Sequence, residues 1–197
     1  GSKIVKSSRI TIHKQLENSE VQILEKGFIG RRRELQKAHA VLKNIKEYEN
    51  KYGLIIRGPA GVGKSCFAGR ILERQTAYNV LVLRGKLTIE IILYTLRQYF
   101  DKNGIKAAIE ILNRDEEFEE KVKDLYREVF SKNRVILYFD DFDQNLRSEK
   151  GIWYLENRYL GAFKPFLEFI EYAQNVSKIV ITSRYPFDLQ TGGKKLC

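Results

Sequence analysis

The hydrophobic positions of this chain fall into blocks of changing period, and the changes divide it into elements. From Arg31 to about Asn50, Leu35, Ala38, Leu42 and Ile45 recur at helical spacing. Tyr52–Arg57 (YGLIIR) predicts a short buried strand. The glycine-rich turn Gly58–Ser65 follows, and Phe67, Ala68, Ile71 and Leu72 then mark one face of a helix. Asn79–Leu83 (NVLVL) predicts the next strand. Thr88 suits the N-cap of a helix that buries Ile92, Leu93, Leu96 and Phe100, and Gly104 breaks that pattern. Two more helical stretches follow, the second with Phe118, Val122, Leu125 and Val129 inward. Asp115, Glu116, Glu117, Glu119 and Glu120 lie on its outer side, where a helix start favours carboxylates. Arg134–Phe139 (RVILYF) is apolar on both faces, as a central parallel strand should be. Trp153–Gln174 predicts mostly helix, with Pro165 opening a second one. Its seven aromatics read mostly as core, with a docking face as the alternative for part of them. Lys178–Thr182 (KIVIT) predicts a fourth strand.

Strand, helix, strand, helices, strand, helix, strand is the order of an α/β fold with a parallel sheet flanked by helices. A fifth strand is expected after Arg184, and with about a dozen residues left the fold is expected to be cut before or at that strand. Residues 1–27 read as a weakly patterned arm or linker, and 28–197 as one domain. The leading Gly1-Ser2 and the lack of methionine read as a tag remnant on a segment of a longer protein.

Composition narrows the class. At 43% hydrophobic and 30% charged residues the chain has the makeup of a globular domain. No apolar run approaches the ~18 residues that span a bilayer. Two cysteines, Cys66 and Cys197, make no disulfide framework, so a cytoplasmic setting is expected. Net charge is +10 and uneven: basic residues outnumber acidic by 13 to 6 over 1–60, whereas acidic outnumber basic by 13 to 10 over 101–150. That excess hints at nucleic acid, but no recognition motif of the usual kinds supports it.

The chemistry concentrates at strand ends. Gly58-Pro59-Ala60-Gly61-Val62-Gly63-Lys64-Ser65 fits G-x-x-x-x-G-K-[ST] between a strand and a helix. Glycines let successive backbone N–H groups curl around phosphate oxygens, and the helix that starts there points its positive end at the same anion. Lys64 supplies a mobile charge for the β- and γ-phosphates, and Ser65 a hydroxyl for Mg²⁺. Cys66 ends the run that contacts the nucleotide and suits a small buried position. RVILYFDDFD ends an apolar strand in Asp140-Asp141, with Asp140 assigned to Mg²⁺ and Asp141 to the attacking water. For Asp143, capping the next turn is favoured over a direct role. KIVITSR ends in Thr182, Ser183 and Arg184, placed to sense a γ-phosphate, with Arg184 as plain surface the alternative. In FIGRRREL, Phe28 and Ile29 offer a surface on which a base could pack and the arginines could reach an anion; by physics alone plain surface is equally good.

Taken in order, four segments carry a resemblance. FIGRRREL resembles the h-h-G-R-x-x-E-L box of AAA+ and STAND ATPases, and GPAGVGKS their Walker A motif. VILYFDDFDQNL resembles the Walker B segment of bacterial STAND proteins, and KIVITSRYPF their sensor strand. The span, 28–187, is nearly the whole chain. The resemblance implies a P-loop NTPase core of the ASCE or AAA+ type that binds ATP or ADP with Mg²⁺. It implies that Phe28 and Ile29 line the adenine pocket, that Arg31 helps hold the nucleotide and that Arg184 reads the γ-phosphate. It further implies lid, sensor and effector domains in the same polypeptide, closed with ADP and opened by ATP, often into homo-oligomers. One departure is Asp141, where AAA+ enzymes usually carry glutamate.

The leading reading is a signalling or defence switch with slow ATP hydrolysis. A DNA-associated ATPase of the origin-recognition or archaeal type is the second, and a nucleotide-bound scaffold without turnover the third. His13 and His39 are isolated in sequence, so a metal enzyme or peptidase has little support.

Overall fold

The computed structural model describes residues 10–11, 23–24, 32–188 and 195–197. Its centre is a parallel sheet of β3 (Gly53–Arg57), β8 (Lys178–Ser183), β5 (Val135–Asp140) and β4 (Asn79–Arg84), in that spatial order. The other elements in chain order are β1 (Ile10–Thr11), β2 (Ile23–Leu24), α1 (Arg32–Leu42), α2 (Lys64–Glu73), α3 (Ile89–Lys102), α4 (Lys106–Asn113), α5 (Phe118–Asp124), β6 (Leu146–Glu149), β7 (Ile152–Leu155), α6 (Asn157–Glu168) and β9 (Phe187–Asp188). The four expected strands thus all form, within a residue or two of their sequence bounds.

Strand alternation feeds two cores. Val135, Leu137 and Phe139 of β5, with Ile179 and Ile181 of β8, pack under α3–α6. Ile136, Tyr138 and Val180 point the other way, against Phe67, Ala68, Ile71 and Leu72 of α2 and Leu35, Ala38 and Leu42 of α1. Both faces being covered is why the central strands read as unbroken apolar runs. Phe139 meets Phe163 edge-on at 5.0 Å and Phe166 at 5.6 Å. Aromatic contacts of this geometry are worth about 0.5–1.5 kcal/mol beyond area burial. They clamp the strand immediately before Asp140.

Thr88 caps α3 as expected, its hydroxyl accepting the Ile91 N–H. Helix α1 ends earlier than its pattern suggests. Asn44 turns left-handed (φ 54°), the Ile45 N–H reaches the Ala40 carbonyl, and the Asn44 N–H that of Val41. That paired closure terminates the helix, so Ile45 lies at the surface, 50% exposed, rather than on the buried face. After α5 the chain widens into a π turn, Leu125–Phe130, which buries Tyr126 and Phe130 besides Leu125 and Val129.

Residues 153–174 differ from expectation. β6 and β7 form an antiparallel hairpin through Lys150 (φ 50°) and Gly151 (φ 81°). Two left-handed residues in a two-residue loop match the twist of paired strands, and this geometry overrode the aromatic, helix-like pattern. β9 joins β7 in parallel to complete a small second sheet. Pro165 does not open a helix; it lies inside α6, whose Tyr159, Phe163, Phe166 and Leu167 are buried, followed by a 3-10 turn at Ile170–Ala173. Packing of that face outweighs the cost of the missing N–H. Tyr172, in contrast, is exposed.

At the outer edge of β3, Leu196 bridges Gly53 in parallel, and Tyr52 and Ile55 donate to the carbonyls of Lys195 and Cys197. This one bridge lies after Arg184, where a fifth strand was expected, and the sheet itself has four strands. Gly53 fits there because a Cβ would lie 2.0 Å from the Ile179 carbonyl oxygen. β1 and β2 pair antiparallel within the segment read as an arm, and β2 runs beside α2.

Candidate functional site

The carboxyl ends of the parallel strands gather those predicted residues that are described. In such sheets ligands bind there, where the strand order reverses. The turn from β3 into α2 holds Gly58–Ser65, with Gly61 and Gly63 both left-handed at φ 79°. Gly63 is also the N-cap residue of α2 and donates no side chain to it, so the first amides of the helix face the loop without a side-chain cap. Lys64 is buried and folds back, its Nζ donating to the Pro59 carbonyl at 2.9 Å. Ser65 and Cys66 are partly buried, so Cys66 is less enclosed than its size suggested.

Because β8 lies between β3 and β5, its polar end separates the loop from the acids. The Gly58 N–H donates to the Ser183 carbonyl on one side. On the other, Thr182 Oγ1 donates to Asp140 Oδ1 at 2.7 Å and accepts the Asp141 N–H at 3.1 Å. Tyr138, two residues before Asp140 on β5, adds a second hydroxyl donor to Oδ1 at 2.6 Å. Asp140 Oδ2 is 3.1 Å from Arg84 Nη2, yet no donor is aligned on it as a hydrogen bond. That contact is charge against charge with an unfilled lone pair on a buried oxygen.

Asp141 sits left-handed (φ 52°) and is about one third exposed, its Oδ2 3.6 Å from Arg84 Nε. Burial raises its pKa first and the neighbouring Asp140 second, while Arg84 pulls it down. Among the described residues Asp143 bonds away from the turn that follows it rather than capping it. Its Oδ1 accepts the Arg184 N–H at 3.1 Å and its Oδ2 lies 3.4 Å from Arg184 Nε, joining the acidic strand end to the sensor strand end.

Beside the loop, a cavity of about 490 Å³ opens between α1, the outer edge of β3 and Gly58, Pro59 and Val62. Leu54, Ile56, Phe67 and Ala38 give it apolar walls, and Glu34 and Lys37 its rim. Phe28, Ile29 and Arg31 lie outside the described residues; they precede α1, whose first turns form one wall.

A nucleotide and Mg²⁺ fit this set. The left-handed glycines open the loop, the α2 amides face it, the cavity has the size of a small-molecule site, and Asp140 carries an oxygen that lacks a hydrogen-bond donor. Among the described residues no cluster of three or more His, Cys, Asp or Glu could hold a metal. A cation would therefore rest on Ser65, Asp140, water and phosphate oxygens, as Mg²⁺ prefers.

The family model described as "ATPase family associated with various cellular activities (AAA)" matches residues 54–191. The chain belongs to the AAA ATPase family. Solved structures agree on the fold of this AAA domain. The STAND (Signal Transduction ATPase with Numerous Domains) protein with a tetratricopeptide repeat sensor from Pyrococcus horikoshii aligns over 86% of the chain at a TM-score of 0.55 and 17% identity. Cdc6p from Pyrobaculum aerophilum aligns over 95% (TM-score 0.57, 15% identity), and the ORC2 protein of Aeropyrum pernix over 90% (TM-score 0.52, 13% identity). The chain spans 22% of the STAND protein, 48% of the Cdc6p and 46% of the ORC2 chain. No curated protein matches it. No helix among the described residues is long and apolar enough to cross a membrane.

Sequence reasoning missed three side chains of this AAA site. Arg84 ends β4 opposite Asp140, but its charge acquires meaning only once β4 is known to pair with β5. Tyr138 reads as one more apolar strand residue until its hydroxyl is seen on Asp140. Asn145 is fully buried, accepts the Leu87 N–H and donates to the carbonyls of Gly85 and Phe142, tying the turns after β4 and β5 together.

Proposed function

We propose that this AAA domain is an ATP/ADP-controlled switch with slow, Mg²⁺-dependent hydrolysis. The observation that carries it is the Asp143–Arg184 pair at the mouth of the site. A γ-phosphate offers Arg184 a second, stronger acceptor than one carboxylate, and ADP offers none. ATP would therefore draw Arg184 from Asp143 and change how the β8 end is held. A ligand shifts an equilibrium only by such differential contacts.

In this reading the base lies in the cavity beside α1, next to Phe28 and Ile29, with Arg31 nearby. Gly58–Ser65 and the α2 amides hold the phosphates. Lys64 leaves the Pro59 carbonyl for them, and Cys66 closes the run. Ser65 and Asp140 hold Mg²⁺, which supplies charge neutralisation on the β- and γ-phosphates. Asp141 orients the attacking water, and its raised pKa moves it toward proton acceptance. An aspartate reaches less far than a glutamate, which suits slow turnover. Partner domains of the same polypeptide would read the Arg184 shift, and assembly into homo-oligomers would follow.

The test is a comparison of ATP and ADP affinities in the parent and Arg184→Ala, together with single-turnover phosphate release in Asp141→Asn. Arg184→Ala should lose the preference for ATP with little change for ADP, and Asp141→Asn should bind ATP but release phosphate at least about tenfold more slowly, ~1.4 kcal/mol. Equal loss for both nucleotides would sink the switch. Unchanged release with Asp141→Asn would remove Asp141 from catalysis, and tight nucleotide binding with no release from the parent would point to a nucleotide-bound scaffold. The net charge of +10 supports one second reading, a DNA-associated ATPase; its mark would be duplex binding that falls steeply with salt.

A further inference from the structure

The opposite pole of the sheet holds a second cavity, of about 620 Å³, at the amino ends of β4, β5 and β8. Its charged lining residues are Lys43, Arg74 and Arg134, and among the described residues no carboxylate lines it. All three cations are exposed, and none has an ion-pair partner among the described residues. The nearby acids are engaged elsewhere, Glu73 with Arg70 and Glu171 with Lys195. The ends of α1 and α2 point their carbonyls here, and one cation at each end, Lys43 and Arg74, is what those dipoles favour. Arg134, just before β5, adds a third, so the cavity carries more positive charge than the ends of α1 and α2 require.

The wall is built rather than loose. Lys178 is fully buried beneath it, its Nζ donating to Asn44 Oδ1, to Asn175 Oδ1 at 2.8 Å and to the Lys51 carbonyl at 3.0 Å. One ammonium thus locks the two asparagines that face the cavity, and Asn44 Nδ2 donates in turn to the Asn175 carbonyl. Gln75, nearly buried in the same wall, is fixed by a 2.7 Å bond to His39 Nδ1. Five non-glycine residues are left-handed among those described; Asn44, Gln174 and Asn175 line this cavity, and a fourth is Asp141 of the nucleotide site. Asn44 closes α1 and Gln174 closes the 3-10 turn, so the cavity is framed by fixed helix ends. The His39 imidazole reports the local field: burial first, then Arg74 and Lys43, lower its pKa.

We propose that this cavity is a second anion site, which takes a small ligand of the oligophosphate class. Concave shape and volume suit a compact molecule, whereas nucleic-acid backbone tracks an extended groove. Three cations on different elements match two or three phosphate groups. The pocket shares α1 and α2 with the nucleotide site but none of its residues.

The test is calorimetric titration of inorganic tripolyphosphate, at fixed ionic strength, into the chain carrying Lys64→Ala, which removes the phosphate-loop lysine from competition. The same background carries Arg74→Ala with Arg134→Ala, and separately Lys43→Glu; at these exposed positions the loss of a favourable helix-end charge should lower the melting temperature by no more than about a few degrees and leave the fold intact. Saturable binding in Lys64→Ala that weakens about tenfold or more in the triple variant, and severalfold with Lys43→Glu, is expected. No binding in Lys64→Ala, or affinity unchanged in the variants, overturns the proposal. So does a short single-stranded oligonucleotide that binds more tightly than tripolyphosphate and depends on the same arginines.

Discussion

The two ends of the sheet handle charge in opposite ways. At the carboxyl end Lys64 rests on a carbonyl, Arg84 on Asp140 and Asp141, and Arg184 on Asp143. At the amino end Lys43, Arg74 and Arg134 have no opposite charge among the described residues, and the buried Lys178 is satisfied by neutral oxygens. A compensated site binds by exchanging partners, so each ligand's affinity reports the internal contact it displaces. Under the function proposed above, that would suit the carboxyl end to telling ATP from ADP. The amino end exchanges nothing and has only to be filled.

The comparison can be broken at its most buried point. Asp140→Ala leaves the hydroxyls of Tyr138 and Thr182 without their shared acceptor and removes one of the carboxylates that Arg84 faces. Loss of stability should be roughly 2–4 kcal/mol, read by chemical denaturation. A cost below about 1 kcal/mol would mean that the network is not formed in solution.

Lys178 sharpens the contrast from the other end. Burial pushes its pKa down to about 8 from an ordinary 10.5. Between those values the unfolded chain binds the extra proton, so the folded state gains stability as pH rises from about 8 to 10.5. The stability of the parent relative to Lys178→Met should climb by as much as about 3 kcal/mol over that range. A flat difference would mean that the ammonium titrates normally.

Smaller effects follow at the loop and its neighbour. Gly63→Ala introduces a Cβ that meets nothing within 4 Å, so its cost is the left-handed backbone alone, about 1–2 kcal/mol of stability by thermal melting. Asp143→Ala should change stability by less than about 1 kcal/mol, because Arg184 is half exposed. It should nonetheless raise the preference for ATP over ADP a few-fold, since Arg184 no longer has to leave a carboxylate. A preference that stays put would separate Arg184 from γ-phosphate reading.

Much of this fold is visible in the chain before folding. Covered strands such as VILYF and KIVIT leave unbroken apolar runs, and the phosphate loop needs its glycines, lysine and serine at fixed spacing. What stayed hidden depends on which strands become neighbours. Arg84 and Thr182 meet Asp140 only because β4 and β8 flank β5. The β6–β7 hairpin was masked by aromatics that suit either a helix or a strand, and its signal was Lys150-Gly151, which carries the left-handed turn. Ile45 fits the period of α1 but falls beyond a helix end set by Asn44.

The central claim is that Gly58–Ser65 with Lys64 binds a nucleotide's phosphates. Titrating labelled ATP and ADP, with Mg²⁺, into this chain and its Lys64→Ala variant tests it most directly. The account predicts saturable binding that Lys64→Ala weakens by about tenfold or more, ~1.4 kcal/mol. Binding of equal strength in both proteins would contradict it.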